Sequence, residues 1–307
     1  MVPERTLPQP RAAAVAVGGV LLVIALAASL TGWSGGRELA RFDPLWSLCL
    51  AARPGVVPAD LWSSWSLAPQ IVLPLLLAAF LYARGARTGR PTPLRTGCFV
   101  AGMLLLAAAL ISPLCRLAAS LASAHMIQHV LIVAAVPPLL LLGAAPVTLR
   151  PAGRAGHPAL AAGLYAAAIW LSHLPAIYQA ALLEPAIHLL LLACQLAAGL
   201  LFWQVLLRPA AAPGTQRNAR LGGALLMAFA TFMHTSLLGA LLTFASAPWY
   251  PLYELRPQAW GLTPLADQQL AGVIRWVPMS ALYLAAGLAL MARLLEVREP
   301  AGQSPES

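Results

Sequence analysis

An all-α membrane bundle is the fold class that this sequence predicts, and three observations lead to it. Hydrophobic residues make up 60% of the 307 residues, whereas charged residues make up only 9%, far below the share of about a quarter in soluble domains. The apolar residues fall in eight long runs, whose helical lengths at about 1.5 Å per residue are of the order of the 30 Å hydrocarbon thickness. Polar connections that carry prolines and arginines separate these runs. A polytopic protein with eight spanning helices is therefore expected.

The first run, Ala12 to Leu30, is predicted to be a transmembrane helix or a signal sequence, cleaved or uncleaved. It belongs to an N-terminal segment, residues 1–31, and an external loop over residues 32–65 follows it. A core of seven helices is predicted over residues 66–294, and a disordered cytoplasmic tail over residues 295–307. The core helices are expected at about 67–82, 95–111, 123–142, 158–173, 186–206, 221–243 and 267–293.

Two prolines interrupt the predicted helix 123–142. Pro137 and Pro138 lie near its far end, and a proline inside a helix removes a backbone donor and crowds the preceding turn. We therefore expect this helix to kink or end there.

The arginines orient the bundle. The N-terminus, the connections after the second, fourth and sixth predicted helices, and the C-terminal end together hold thirteen arginines, whereas the opposite loops hold five. Cytoplasmic segments of membrane proteins carry the excess of positive charge. Both termini are therefore expected in the cytoplasm.

Five histidines are predicted near the outer surface. His125 and His129 lie four residues apart, a spacing that stacks both imidazoles on one face of a helix. His173 and His188 lie at the outer ends of their helices, and the rise per residue puts His129 and His234 at similar depths, about 10 Å below the surface. An ionisable side chain at membrane depth usually marks a functional site in the bundle interior. His125, His129 and His234 resemble a copper or heme ligand set, whereas His173 and His188 could equally be hydrogen-bonded or interfacial side chains.

Thioether sulfur accompanies two of these histidines. Met126 follows His125 and Met233 precedes His234, and thioether with imidazole suits Cu(I) better than it suits Ca²⁺ or Mg²⁺. Each methionine taken singly could equally be apolar filling in a helix.

Polar residues of the last predicted helix lie close to the same layer. Asp267 and Gln268, with Gln269 beside them, could orient metal ligands or could cap the helix. Arg275 lies about 12 Å further along, where a cation disfavours a second cation unless an anion intervenes. Glu184, Asp267 or a heme propionate could supply that negative charge.

The cysteines form no C-x-x-C pair and no zinc-like spacing. Cys98 and Cys194 suit the role of small apolar helix residues. Cys49 and Cys115 fall in loops on the predicted outer side, where either a disulfide or a thiolate ligand is compatible with the sequence.

Nucleic-acid binding is excluded on the pattern of the basic residues. All nineteen positive side chains are arginine and give a net charge of +9, but no basic face or aromatic platform accompanies them. In a membrane chain such residues set orientation.

Several stretches resemble one family. S-A-H-M-I-Q-H followed by P-P-L-L-L-L-G-A-A-P, then H-L-P-A-I-Y-Q-A-A-L, A-G-L-L-F-W and D-Q-Q-L-A-G-V-I-R-W-V-P, are similar to the CtaG family of membrane proteins associated with cytochrome c oxidase assembly. The resemblance covers about residues 65 to 295, in the family's order. It implies a seven-helix core preceded by one extra helix, residence in the bacterial plasma (inner) membrane, and a part in maturing a heme–copper oxidase at its copper.

The chain departs from the family pattern at two positions. Members often carry a second histidine one turn after the position of His188, where this chain has Leu192, and methionine where it has Arg275. Both departures would weaken a metal site that drew on those positions.

Three functions are compatible with these residues. The favoured one is a non-enzymatic assembly factor that holds Cu(I) through its histidines and passes it to an oxidase subunit, with a copper chaperone as a further partner. The second is a b-type cytochrome or heme-handling protein with bis-histidine ligation. The third, a metal-dependent intramembrane hydrolase, lacks an acidic general base in the histidine layer and a G-x-S-x-G motif.

Overall fold

The computed structural model describes Cys49 and residues 55–144, 158–207 and 215–296, and all regular secondary structure in these ranges is helical. The predicted first helix, Ala12 to Leu30, and most of the predicted tail lie outside the described residues. The helices are α1 Pro69–Gly89, α2 Pro93–Ile111, α3 Pro113–Ala118, α4 Ala122–Val130, α5 Val136–Ala144, α6 Pro158–His173, α7 Pro175–Leu183, α8 Pro185–Leu207, α9 Thr215–Thr243 and α10 Pro264–Glu296.

Within the described ranges, six helices are long and apolar enough to cross a membrane, when α4 and α5 are counted as one span from Ala122 to Gly143. A seventh span results if α6 and α7, which meet at 75°, are one broken span. These helices are those of a multi-pass membrane protein with six or seven candidate spans in the described ranges, against the seven core spans predicted from the sequence.

Two helices lie where connections were expected. The prediction treated the segment around Cys115 and the segment after His173 as loops, but they form α3 and α7. Both helices have proline in their first turn, where the missing N–H costs nothing and the fixed φ angle suits a helix. Proline therefore ends one helix and starts the next, which turns the chain without a long loop.

A π-helical segment, Leu131–Ala135, joins α4 to α5, so the helical path continues through its prolines instead of ending there. Pro137 has no N–H to donate to the carbonyl oxygen of Val133, four residues earlier. That oxygen instead accepts hydrogen bonds from Tyr165 Oη at 3.0 Å and Trp203 Nε1 at 3.2 Å. Gly199 allows the close approach, since a Cβ there would lie 2.9 Å from the Pro137 ring. The prolines thus tie this helix to α6 and α8.

The loop between α9 and α10 forms a cover over the start of α4. Tyr253 Oη donates to the carbonyl oxygen of Ala118 at 2.7 Å, and Arg256 Nη1 donates to that of Ala119 at 2.5 Å. Burial raises the pKa of Tyr253, so its hydroxyl stays protonated and able to donate. Trp260 Nε1 reaches the carbonyl oxygen of Val56 at 2.9 Å. The bonds from Tyr253 and Arg256 satisfy carbonyl groups at the end of α3 that the short helix leaves without partners.

A disulfide joins Cys49 to Cys115, with the Cα atoms 4.9 Å apart, and resolves the two readings that the sequence left open. Both side chains are buried. The bond pins the segment before α1 to α3, and Gln128 Nε2 of α4 lies 3.6 Å from Cys49 Sγ. Cys98 and Cys194 are free thiols.

Asp267 joins α10 to the beginning of α4. Its carboxylate is fully buried and accepts hydrogen bonds from the backbone N–H groups of Ala122 at 2.6 Å and Ser123 at 3.1 Å, and from Ser123 Oγ. These are amides that the first turn of a helix cannot satisfy internally, and a negative charge there is stabilised by the helix dipole.

We expect Asp267→Ala to lower the free energy of unfolding in detergent by about 1–3 kcal/mol, because buried N–H donors lose their acceptor. Thermal unfolding of the purified variant measures the change. Gln269→Ala is the matched control. Gln269 lies two residues after Asp267 on α10, and its Nε2 donates a partly buried hydrogen bond to the carbonyl oxygen of Ala245. An unfolding temperature for Asp267→Ala that equals the control's would contradict the capping role.

The disulfide predicts a count of reactive thiols. Protein denatured without reductant should take up two maleimide groups, on Cys98 and Cys194, and reduced protein should take up four. Mass spectrometry gives both numbers. Four labels before reduction would show that Cys49 and Cys115 are not bonded to each other.

Candidate functional site

Four buried histidines meet beneath the cover formed by the α9–α10 loop: His125, His129, His173 and His188. The Nε2 atoms of His125 and His129 lie 2.7 Å apart, a hydrogen-bond distance in which one nitrogen donates and the other accepts. The ring of His173 packs edge-on against His129, with 5.2 Å between the ring centres. The four-residue spacing of the first pair therefore places both imidazoles on one face, as predicted.

The bends at Pro175 and Pro185 bring the remaining histidines to this point. His173 ends α6, and His188 lies in the first turn of α8, with α7 between them. His188 Nδ1 lies 3.1 Å from the carbonyl oxygen of Ala181, and His173 Nδ1 lies 2.7 Å from that of Ile169. A carbonyl oxygen can only accept, so both Nδ1 atoms carry the proton. The Nε2 atom of each ring therefore has a free electron pair.

A small cavity of about 20 Å³ lies among three of these rings. That volume holds one water molecule or one metal ion. His188 Nε2 is buried and has no hydrogen-bond partner among the described residues. The polar side chains that line the cavity are His125, Gln128, His129, Ser172, Tyr178, His188 and Gln195.

Four polar lining residues were missed by the sequence reasoning: Gln128, Ser172, Tyr178 and Gln195. Gln195 Nε2 lies 3.4 Å from His129 Nε2, and Tyr178 packs its ring against His125 at 4.6 Å between ring centres. Gln195 follows His188 by seven residues, which is two helical turns and hence the same face, so this spacing could have revealed it. Gln128 and Tyr178 carry no comparable signal, because only tertiary packing turns them toward the cavity.

His234 and Met233 were predicted to be ligands, and the structure places them elsewhere. His234 Nδ1 accepts a hydrogen bond from Trp170 Nε1 at 3.3 Å, and this histidine is not among the residues that line the cavity. Met233 is 44% exposed on the outer surface of α9. The depth estimate for His234 fixed its height along the helix axis, but height does not determine which face of the bundle a side chain joins.

Met126 is buried beside the cluster, and Arg275 lies against it. Arg275 Nη1 is 3.6 Å from Met126 Sδ and 3.5 Å from His173 Nε2, which confirms that this arginine reaches the histidine layer. The proposed carboxylate partners do not pair with it, since Glu184 is exposed and both oxygens of Asp267 bind α4.

Asp267 and Gln268 act on backbone groups. Asp267 caps α4, and Gln268 Oε1 accepts from the N–H of Trp249 at 2.6 Å, which holds the α9–α10 loop. Asp267 and Gln268 therefore act on the imidazoles by positioning α4 and the α9–α10 loop, and not through hydrogen bonds to the rings.

The four clustered histidines do not have the geometry of a metal-coordination site in this structure. In the part of the chain that the structure describes, no group of three or more His, Cys, Asp or Glu side chains has the geometry of a metal site. Two nitrogens bound to one tetrahedral metal at about 2.0 Å lie about 3.3 Å apart, which exceeds the 2.7 Å between His125 Nε2 and His129 Nε2. The rings form a hydrogen-bonded pair that must open to share an ion.

Leu192 separates the imidazole cavity from a much larger apolar one. It lines both, and the second cavity, of about 430 Å³, lies among apolar side chains of α1, α2, α5 and α8. Leu192 stands one turn after His188, so it contributes a methyl-bearing wall where a second imidazole would have added a nitrogen.

One protein family matches most of this chain, including the helices and histidines described above. The model of the cytochrome c oxidase caa3 assembly factor family (Caa3_CtaG) matches residues 76–296, which is more than two thirds of the chain. No curated protein and no solved structure matches. The matched region holds every helix from within α1 to the end of α10, together with all four clustered histidines. The chain therefore belongs to the Caa3_CtaG family of cytochrome c oxidase assembly factors.

Proposed function

We propose that this protein holds one Cu(I) ion, as cargo, in the cavity between His125, His129 and His188, and transfers it to a cytochrome c oxidase subunit during assembly. The observation that carries the proposal is the state of His188. Its Nδ1 donates to the carbonyl oxygen of Ala181, and its buried Nε2 has no partner among the described residues. Histidines that ligate metals usually donate the other ring N–H to a fixed acceptor in this way.

The residues fit a soft monovalent ion. Imidazole nitrogens suit copper, and the cavity of about 20 Å³ has room for one ion. His125 and His129 would separate from their present 2.7 Å, with the Nε2 proton of the pair moving to an Nδ1 atom so that both Nε2 atoms could bind. Gln195 Nε2, 3.4 Å from His129 Nε2, would have to withdraw from that nitrogen when it binds the ion. A site that must open to bind and closes on release suits transfer better than permanent storage.

Two observations support a location of this site on the outer side of the bacterial plasma membrane. The excess of arginines lies at the opposite ends of the helices. The disulfide between Cys49 and Cys115 lies at the same end as the histidines, and disulfides persist in oxidising compartments such as the periplasm. Copper would then arrive from a periplasmic donor, for which a copper chaperone is the proposed partner, and leave to the oxidase subunit within the same bilayer.

The proposed role is non-enzymatic. Cu(I) is bound and released without a chemical change in the cargo, and the change in the protein is the proton shift within the imidazole pair. Asp267, the buried carboxylate nearest to the start of α4, is engaged by three donors and is not free to act as a general base.

A heme-handling role is the second candidate, and the cavity of about 430 Å³ favours it. That cavity is within the size range of small-molecule and cofactor sites, and its lining is apolar. Leu192 stands between it and the imidazoles, so heme ligation would require this side chain to move. A heme absorption band in purified protein would favour this candidate over copper transfer.

Copper binding is tested on detergent-purified protein loaded with Cu(I) under ascorbate. We expect about one equivalent to remain on the wild type after desalting. His129→Ala and His188→Ala should weaken Cu(I) binding at least about tenfold, because each removes a ligand. Competition with a chromogenic Cu(I) chelator measures the affinity, and an optical spectrum of the same samples checks for heme.

His234→Ala is the matched control, since His234 bonds to Trp170 and lies outside the cavity. It should keep the wild-type affinity. Equal losses in all three variants, or no copper on the wild type, would contradict the proposed site.

The orientation predicts which ends are accessible from outside the cell. In a background without Cys98 and Cys194, Ser246→Cys in the exposed α9–α10 loop should react with a membrane-impermeant maleimide on intact spheroplasts. Thr88→Cys, exposed at the other end of the bundle, should react only after the membrane is permeabilised. The opposite labelling pattern would place the histidines on the cytoplasmic side.

A further inference from the structure

The guanidinium of Arg275 occupies a position between two soft donor atoms. Its Nη1 lies 3.5 Å from His173 Nε2 and 3.6 Å from Met126 Sδ. Since His173 Nδ1 donates to the carbonyl oxygen of Ile169, the Nε2 atom that faces Arg275 carries an electron pair. An imidazole nitrogen and a thioether sulfur are the donors that Cu(I) prefers, and here they face an N–H of the protein's own cation.

The charge of Arg275 is buried without a counter-ion among the described residues. The side chain is fully buried, and its Nε and Nη2 atoms have no hydrogen-bond partner there. Guanidinium stays charged in proteins, so this positive charge is permanent. Such a charge in the interior of a membrane protein acts strongly on any second ion nearby, because the medium screens it weakly.

We infer that Arg275 is a built-in cation that occupies the His173–Met126 donor pair and thereby restricts the neighbouring imidazole cavity to a single monovalent metal ion. The inference rests on the proposed function for the identity of the cargo. It assigns to this arginine a role in charge selection that the family membership alone does not give.

The size of the effect follows from the charges. For an assumed separation of about 6 Å and an effective dielectric constant of about 20, two unit positive charges repel each other enough to weaken binding about 100-fold. A divalent ion suffers twice the repulsion, about 10,000-fold in affinity. Cu(I) therefore loses less than Zn²⁺ or Co²⁺ from the presence of Arg275, and a second ion is excluded from His173 and Met126 by direct occupation.

The test replaces the cation by a neutral soft donor. Arg275→Met should take up a second equivalent of Cu(I), and its affinity for Co²⁺ should rise at least about 100-fold over the wild type. Chelator competition reports Cu(I), and the ligand-field absorption of Co²⁺ reports the divalent ion. Arg275→Lys, which keeps the charge, should retain the wild-type stoichiometry and selectivity.

A second variant separates this effect from a change of fold. Adding His173→Ala to Arg275→Met should abolish the second Cu(I) equivalent, since it removes the uncovered nitrogen. Arg275→Gln, which is neutral but lacks a thioether, should gain Co²⁺ affinity even if Arg275→Met does not fold.

The possible results distinguish the two proposals. Copper on Arg275→Met but none on the wild type would overturn the proposed copper transfer and the selection of one monovalent ion, and would support only the occupation of the His173–Met126 pair by Arg275. One equivalent on the wild type with unchanged stoichiometry and Co²⁺ affinity in the neutral variants would overturn the role of Arg275 and leave copper transfer standing. No metal on any of these proteins would overturn both.

Discussion

The contact between α4 and α10 determines the rest of this structure. Asp267 holds the first amides of α4, and two turns further along α10 Arg275 lies against Met126, one turn into α4. These two contacts fix the height and the rotation of the helix that carries His125 and His129. A shift of either helix by one residue would turn the imidazoles out of the cavity and would leave the Asp267 carboxylate buried without donors, at a cost that membrane burial makes large.

Backbone carbonyl groups organise the histidine cluster more than side-chain partners do. His173 and His188 each use Nδ1 on a carbonyl oxygen, Tyr250 Oη donates to the carbonyl oxygen of His173 at 3.1 Å, and Tyr253 and Arg256 cover those at the end of α3. The carbonyl groups of Ala118, His173 and Ala181 lie in the last turns of helices, where every helix leaves acceptors unused. At Ala181 the residue four positions later is Pro185, which has no N–H, so this carbonyl is left to accept from His188 Nδ1 and fixes which nitrogen of that ring is free.

The neutral imidazole nitrogens and the positive charge of Arg275 would have opposite effects on a cation bound in this site. His125, His129 and His188 offer neutral nitrogen to a small cavity, whereas Arg275 puts a permanent positive charge against His173 and Met126. Leu192 adds an apolar side chain to the wall of the same cavity. Under the proposed function, these residues make a selective site for one copper ion, in a chain whose family assembles cytochrome c oxidase.

Hydrophobic runs, proline positions and the spacing of His125 and His129 are local properties, and from them the sequence alone determined the helical membrane fold, the seven core helices and the paired imidazoles. It also placed Arg275 in the right layer, because rise per residue converts position in the chain into depth. Rotation about each helix axis and the directions of short helices are set by long-range packing, so only the tertiary structure decided the remainder. It brought His188 and Gln195 into the cavity, turned His234 toward Trp170, formed α7 where a loop was expected, and paired Cys49 with Cys115.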